Sequence, residues 1–329
     1  MKRYDVYGLG SAIVDTEIEV SDADLNALGI EKGLMTLVDE NRQSELIDKL
    51  SNHLTLSKRA CGGSAANTII ALSQFGGKGC MACKLADDDN GRFYRQDLIH
   101  HNVDYSGSKH LDSGITGKCL VMITPDAERT MNTFLGIAAQ LGPDDVDLTA
   151  IAESEYIYIE GYLVTSNSGR AAAIKARQTA QESGTKVAIS LSDPGIVAHF
   201  KGGLNEIIGP GVDLLFCNKQ EALSWCDTDN LKAAIKTMQH TAKQFVITLG
   251  ADGALVCDGD RDYHVSAQPV TTVDTNGAGD MFAGAYLYAI NNGQSPVDAA
   301  RLANRAAGAV VGTYGPRLQT AEYKDLKNG

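Results

Sequence analysis

Short apolar runs alternate with longer stretches of helical periodicity along most of the chain. Runs at 5–9, 186–191 and 214–218 have the length of buried strands, whereas 65–75 and 168–183 space their apolar residues as helices do. Such alternation predicts a mostly parallel sheet covered by helices on both faces. The predicted fold class is therefore a three-layer α/β/α architecture.

Two stretches interrupt this alternation. In 13–37 and 114–133, β-rich patterns such as the run 118–124 lack an intervening helix. We expect these stretches to pair into a small accessory sheet. The chain contains neither an internal repeat nor a linker, so we expect one domain over 1–329 that carries this sheet.

Composition and charge narrow the class of protein. Hydrophobic residues make up 43% and charged residues 21% of the 329 residues, as is typical of a soluble enzyme. The net charge of −12 argues against nucleic acid or an anionic membrane as a partner, because both attract basic surfaces. No signal-peptide core and no run of about 18 apolar residues is present, so we expect a cytoplasmic location.

The seven cysteines are odd in number and lie in apolar contexts, which favours reduced, buried thiols. Cys80 and Cys83 have the spacing of a zinc or redox motif. No second pair or nearby histidine completes a metal site, so buried strand packing is the preferred interpretation.

The segment 274–285 carries the strongest chemical signal. Gly277, Ala278 and Gly279 form a compact turn, and a helix is predicted from Asp280 to about Ile290. A helix N-terminus carries about half a positive charge and several unpaired N–H donors, which suits a phosphoryl group in transfer. Asp280 could accept a proton from an attacking hydroxyl group, which indicates a kinase. The alternative is a simple helix N-cap.

The full pattern Asp-Thr-x-Gly-Ala-Gly-Asp at 274–280, followed by Gly284 and Ala285, resembles the C-terminal signature of the PfkB, or ribokinase-like, kinases. A second signature of the family is matched at 62–68, about two hundred residues earlier. The resemblance covers nearly the whole chain and is strongest to the adenosine-kinase branch, on 116–119, 123–131 and 160–162. It implies a ribokinase-like fold whose β lid is formed by 13–37 and 114–133.

The resemblance also implies roles for individual residues. Asp280 would be the general base, and the amides of Asn276, Gly277, Ala278 and Gly279 would stabilise the phosphoryl oxygens. The substrate-binding residues implied are Ser11, Asp15, Gly62, Gly63, Asn67 and Tyr162.

Alternatives remain open for these substrate residues. Asp15 would accept hydrogen bonds from two sugar hydroxyls, although a surface turn explains it too. Asn67 could instead satisfy backbone groups, and Tyr162 could be a core residue. Ser11 stands where the family commonly has Asn, which leaves a ribose contact there open.

By the same resemblance, Thr248, Gly250, Gly253 and Asn304 would lie against ATP, and Asn218 and Glu221 would act on Mg²⁺ and phosphate through ordered water. A helix cap at Asn218 and a hairpin turn at Gly250 are the competing explanations. Asp274, the backbone of Asn276 and carbonyls of 312–315 could hold a monovalent cation such as K⁺. Arg129 is expected to be a solvated hairpin residue, and its contact with phosphate is left open.

The predicted activity is ATP-dependent phosphorylation of a hydroxymethyl group on a ribosyl nucleoside or a sugar, by a monomer or homodimer. A sugar kinase of the ribokinase or fructokinase type and a non-catalytic nucleoside or sugar sensor are the alternatives. An NAD-dependent oxidoreductase is disfavoured, because Ile13 occupies the third glycine position of the motif that begins at Gly8.

Overall fold

The computed structural model describes residues 2–56, 58–107, 111–126 and 128–328. Ala127, within the second β-rich stretch, lies outside the described residues, as do both terminal residues of the expected domain. Fourteen strands are formed by the described residues: β1 (Tyr4–Leu9), β2 (Ile13–Glu19), β3 (Met35–Leu37), β4 (Lys58–Gly62), β5 (Gly79–Ala82), β6 (Val103–Tyr105), β7 (Gly117–Ile123), β8 (Arg129–Phe134), β9 (Ser154–Glu160), β10 (Lys186–Ser190), β11 (Val212–Asn218), β12 (Ala242–Thr248), β13 (Ala254–Cys257) and β14 (Asp262–Val265).

The α-helices among these residues are α1 (Asp22–Ala27), α2 (Glu40–Lys49), α3 (Ser64–Gln74), α4 (Asp89–His100), α5 (Leu148–Ala152), α6 (Asn167–Ser183), α7 (Pro194–Ile208), α8 (Lys219–Trp225), α9 (Leu231–Met238), α10 (Ala278–Asn291), α11 (Pro296–Val311) and α12 (Thr320–Asn328). No described helix combines the length and the apolar character that crossing a membrane requires.

A large sheet of nine strands has the order β14-β13-β12-β11-β10-β9-β1-β5-β6. All neighbours from β12 to β6 pair in parallel, and β13 and β14 add an antiparallel edge. The predicted α/β class with a mostly parallel sheet is confirmed.

Side chains of the central strands alternate between two apolar cores. On β9, Tyr156 and Tyr158 pack into one core with α3, α10 and α11, whereas Ile157 and Ile159 pack into the other with α6 and α7. Successive strand residues point to opposite faces, so a strand buried on both sides is apolar throughout. The sheet therefore forms the middle of three layers.

A small sheet of five strands has the order β3-β8-β7-β2-β4. It combines the two stretches predicted to be β-rich and adds β4, which the sequence did not predict. One face of the small sheet packs on α1 and α2 through its own core, which includes Ile18, Leu25, Leu46 and Leu120. The other face points toward the carboxyl ends of the large sheet.

Two details differ from or complete the sequence predictions. Helix α10 begins at Ala278 rather than Asp280, because Gly277 adopts a left-handed conformation with φ of +74° and takes the N-cap position. All seven cysteines are free of disulfide bonds, and Cys80 on β5 and Cys83 just after it are buried, as packing around this strand requires.

Candidate active site

A cavity of about 510 Å³ lies where the carboxyl ends of the parallel strands face the small sheet. Open parallel sheets bind their ligands at this edge. Most of the predicted site residues line the cavity: Ser11, Asp15, Gly63, Asn67, Tyr162, Asn218, Glu221, Thr248, Asn276, Gly277, Gly279 and Asp280.

The N-terminus of α10 opens into this cavity. Gly277 needs its positive φ, and a Cβ there would approach Pro316 to 2.5 Å, so no other residue fits without movement. A Cβ on Gly279 would meet no atom within 4 Å, and no side chain caps the helix. The N–H groups of Gly277 and Gly279 therefore remain available to an anion, as phosphate binding requires. Two of the predicted amides are used within the fold: the N–H of Asn276 donates to Asp274 Oδ1 at 2.9 Å and that of Ala278 to the carbonyl of Thr275 at 3.4 Å.

Asp280 lies at the third position of α10 and is held by two donors. Ser64 Oγ donates to Oδ1 at 2.7 Å, and Asn67 Nδ2 donates to Oδ2 at 3.1 Å. Burial raises the pKa of Asp280, whereas these hydrogen bonds and the charge of Arg317 oppose the rise. Because Gly277 is the N-cap residue, Asp280 does not cap the helix, and that alternative is wrong.

Asp15 projects from β2 into the same cavity. Burial, assisted by the charge of Glu17, raises the pKa of Asp15 to about 7. A Cβ on Gly62 would come within 2.1 Å of the Asp15 carboxylate, so Gly62 makes room for this side chain and does not itself line the cavity. The carboxylate of Asp15 receives no hydrogen bond from any described residue, which leaves its oxygens open to a ligand.

A buried carboxylate that the sequence did not reveal joins the two substrate segments. Glu160, only 1% exposed, accepts hydrogen bonds from the backbone N–H of Ser11 at 2.6 Å and of Ala65 at 2.9 Å. Burial raises the pKa of Glu160 to about 7 against the effect of these bonds. Glu160 thus ties the turn after β1 to the start of α3.

Asn218 and Glu221 form a reciprocal capping box at the start of α8. Asn218 Oδ1 accepts from the Glu221 N–H at 2.8 Å, and Glu221 Oε2 accepts from the Asn218 N–H at 3.0 Å. Burial raises the pKa of Glu221 to about 7. Both residues line the cavity, so the capping role and a role toward a ligand are compatible.

Three predicted nucleotide residues do not line the cavity. Asn304 is buried and donates to the carbonyl of Val265 at 2.8 Å, so its amide is used within the fold. Gly253 has a φ of +92°, and a Cβ there would collide with the backbone of Val265. Gly250 has a φ of +62° and faces open space at the end of β12. Of these three residues, only Gly250 is exposed, as contact with a nucleotide requires.

Asp274 and Arg129 form a buried ion pair between the α10 turn and the small sheet. The guanidinium of Arg129 donates to both carboxylate oxygens of Asp274, and Glu17 lies 3.2 Å from its third nitrogen. The prediction that Arg129 is solvated is therefore wrong, because Asp274 supplies a buried partner. The carboxylate of Asp274 is already paired with the guanidinium of Arg129, which argues against Asp274 as a K⁺ ligand.

Comparisons with known proteins agree with this geometry. The family model described as pfkB family carbohydrate kinase matches residues 38–322. The chain belongs to the PfkB family. It is a carbohydrate or nucleoside kinase with a ribokinase-like fold, and the substrate is unresolved between adenosine and sugars.

Two solved PfkB-like structures cover the whole chain. An adenosine kinase from Sinorhizobium meliloti is 34% identical, covers 98% of this chain and 99% of its own, and has a TM-score of 0.91. A probable sugar kinase from Rhizobium etli is 32% identical, covers 100% and 99%, and has a TM-score of 0.93. An aminoimidazole riboside kinase from Salmonella typhimurium is 29% identical over 70% of this chain and 73% of its own length.

The PfkB signatures do not include every residue that shapes the site. Glu160 and Arg317 were missed as site residues, although each contacts a residue of a signature segment. Ser64 lies within the signature at 62–68 but was assigned no role. Its hydroxyl donates a hydrogen bond to Asp280. The only sequence signal for Glu160 was its position at the end of an apolar strand, where a charged residue meets the cavity.

Proposed function

We propose that the protein transfers the γ-phosphoryl group of ATP to the hydroxymethyl group of a ribosyl nucleoside of the adenosine type. The observation that carries the proposal is the two-sided cavity. Asp15, Asn67 and Asp280 form its polar side, while strands β3 and β8 of the small sheet provide an apolar side.

The apolar wall follows from strand alternation. Met131 and Thr133 on β8, with Leu135 just beyond it, are spaced by two residues and line the cavity together, as do Met35 and Leu37 on β3. A planar base would cover these side chains, whereas a free hexose would leave them without a partner. Tyr162 is half-buried at the opposite wall and offers an aromatic face.

In this arrangement, the ribose hydroxyls donate to the Asp15 carboxylate, and the hydroxymethyl group faces Asp280. Asp280 accepts the hydroxyl proton as the oxygen attacks phosphorus, and the N–H groups at the start of α10 stabilise charge on the phosphoryl oxygens. The small sheet acts as a lid that keeps water from the reacting phosphate.

The residues present fit ATP and Mg²⁺, which PfkB kinases use. The open helix N-terminus suits the transferred phosphate. Among the residues described, no group of three or more Asp, Glu, His or Cys side chains could hold a metal directly. Glu221 would therefore hold Mg²⁺ through ordered water, which suits an ion that keeps several waters. When bound, Mg²⁺ neutralises charge on the phosphate oxygens.

A second candidate is a sugar kinase, favoured by Ser11. Its backbone N–H is taken by Glu160, and its short side chain reaches less far than the Asn common in the family. A less specific contact at this position is compatible with free ribose or fructose as acceptor.

An acceptor screen tests the proposal. ADP release with ATP and Mg²⁺ is measured for adenosine, inosine, uridine, ribose and fructose, with and without K⁺, and the product is identified by ³¹P NMR. We expect adenosine to have a kcat/KM at least about 10-fold above either sugar, because only a base covers the apolar wall. A sugar that equals or exceeds adenosine would support the second candidate and overturn the first.

A further inference from the structure

Arg317, in the segment after α11, is held among three acceptors. Its side chain is 15% exposed. Nε donates to Asn67 Oδ1 at 2.9 Å, Nη1 to Asp97 Oδ2 at 2.6 Å and Nη2 to the carbonyl of Cys61 at 2.6 Å. The guanidinium is therefore fixed in position and orientation.

The hydrogen bond from Arg317 determines which atom of the Asn67 amide faces Asp280. A guanidinium can only donate hydrogen bonds, so it selects the orientation that turns Oδ1 of Asn67 toward Arg317. The NH₂ group of Asn67 then faces Asp280 and donates to Oδ2 at 3.1 Å. In the flipped orientation an amide oxygen would face the carboxylate, which only a protonated Asp280 could tolerate.

We propose that Arg317 is a positioning residue that acts through Asn67. By fixing the Asn67 amide, Arg317 keeps an N–H donor directed at Asp280, so that this carboxylate stays ionised and oriented toward the acceptor hydroxyl. The inference rests on the proposed role of Asp280 as general base. No part of it requires contact between Arg317 and a substrate.

Neighbouring residues of the same segment contact the phosphate side of the site. Pro316 packs against Gly277, and the N–H of Gly315 donates to Asp274 Oδ2 at 2.7 Å. Three consecutive residues thus contact the α10 turn, the Asp274 carboxylate and Asn67. The segment holds the base and the anion-binding turn in one relative position.

The charged and titratable groups that face Asp280 come from several elements: Asp15 on β2, Tyr158 and Glu160 on β9, Tyr162 after β9, and Arg317. Arg317 is the cation in this described set. Its removal would leave Asp280 beside two other carboxyl groups, without the charge that opposes the rise in its pKa.

Kinetics across pH test the proposal first. For Arg317→Met with adenosine, ATP and Mg²⁺, we expect kcat near pH 7 to fall about 10- to 100-fold and the acid limb of kcat/KM to move up by about one pH unit or more. KM for ATP should be unchanged, and Arg317→Lys, which still only donates, should keep the limb near its wild-type position. Arg305→Met is the matched control, because among the described residues Arg305 donates only to the carbonyl of Leu326 and does not contact Asn67.

A titration without substrate separates this inference from the proposed function. The Asp280 carboxyl carbon is followed by ¹³C NMR in aspartate-labelled protein and assigned by its loss in Asp280→Asn. In Arg317→Met we expect its titration to move to higher pH than in the wild type, whatever the acceptor is. An unchanged titration, or an equal loss of activity at every pH, would overturn the role of Arg317.

Two further variants protect the test against simple unfolding. Arg317→Gln retains more of the packing but can present an oxygen to Asn67, so it should show the same upward shift if Arg317→Met does not fold. Asn67→Ala combined with Arg317→Met should cost clearly less activity than the sum of the two single losses, because the contact through Asn67 is shared and only the charge of Arg317 reaches Asp280 directly. Additive losses would contradict that route.

Discussion

Each carboxylate oxygen of Asp280 accepts one hydrogen bond from the protein. Ser64 donates to Oδ1 and Asn67 to Oδ2, and each oxygen keeps a second lone pair. A hydroxyl group in the cavity can therefore donate to the same carboxylate without displacing either partner. The side chain is oriented before the acceptor arrives, which is the condition for efficient proton transfer.

Asp280→Asn should lower kcat by about 10²- to 10⁴-fold, or about 3–5 kcal/mol of barrier, because the amide cannot accept the proton. ATP binding, measured by isothermal titration, should stay close to that of the wild type. Asp298→Asn is the matched control, since Asp298 holds the same third position in α11 after the N-cap Ser295. Normal turnover in Asp280→Asn would remove this residue from the chemistry.

At the scale of elements, two of the helices whose N-termini reach the cavity, α3 and α10, have a glycine at the N-cap position and therefore no N-cap side chain. The N-cap residues of α3 and α10 are Gly63 and Gly277, with φ of +93° and +74°. Most other α-helices of the described chain begin at Ser, Asp or Asn caps. At α3 the N–H of Ala65 is taken by Glu160, whereas the missing cap of α10 leaves N–H donors for a ligand, so local helix stability is given up where binding needs it.

The ion pair between Arg129 and Asp274 joins the small sheet to the α10 turn. Arg129→Met should lower the free energy of unfolding by about 3–5 kcal/mol, because Asp274 keeps a buried charge without its partner. Urea denaturation measures the change.

Lys32→Met is the control for this prediction, because Lys32 pairs with two exposed carboxylates, Asp22 on α1 and Asp126 between β7 and β8, and should contribute less than about 1 kcal/mol. Equal stability of the two variants would show that the Arg129 pair does not hold the small sheet in place.

The sequence predicted the elements whose signal is local. Central strands such as β10 and β11 were predicted because burial on both faces makes most of their residues apolar. Strand β4 was missed because Lys58 and Arg59 give it a charged start, and its pairing with β2 depends on residues about forty positions away. The start of α10 was placed too late because the left-handed conformation of Gly277 is not readable from composition.

The same distinction applies to the site. The residues in contiguous motifs were found, because their spacing alone places them at a turn or helix start. Arg317 lies 250 positions from Asn67, and Arg129 lies 145 positions from Asp274. Such partners are brought together only by the packed fold, so no local pattern reveals them.

For the whole molecule, three buried carboxyl groups make stability depend on pH. The pKa values of Asp15, Glu160 and Glu221 are each raised by burial to about 7. In the unfolded chain these groups titrate near 4, so between about pH 4 and 7 the folded state binds more protons. Their contribution to stability is present below pH 4 and is lost as the pH rises through 7.

In Asp15→Asn, the free energy of unfolding should therefore fall less between pH 5 and pH 8 than in the wild type, and the affinity for the acceptor should decrease. Each unit of pKa shift corresponds to about 1.4 kcal/mol, and thermal unfolding at several pH values measures the effect. Asp258→Asn is the control, because the pKa of this partly exposed carboxyl group is lowered, so that Asp258 is ionised above pH 5 in both the folded and the unfolded chain. A pH dependence identical to that of the wild type would show that Asp15 does not titrate in this range.

The separate core of the small sheet has a consequence for motion. Ile18, Leu25, Leu46 and Leu120 pack with α1 and α2 and not with the large sheet, and β2 follows β1 after only three residues. The proposed lid motion would leave this core intact, although it would have to break the Arg129–Asp274 pair that joins the small sheet to the α10 turn. We expect backbone amides inside β7 to stay protected from deuterium exchange during such a motion, so that opening of the cavity and local unfolding would be separate events.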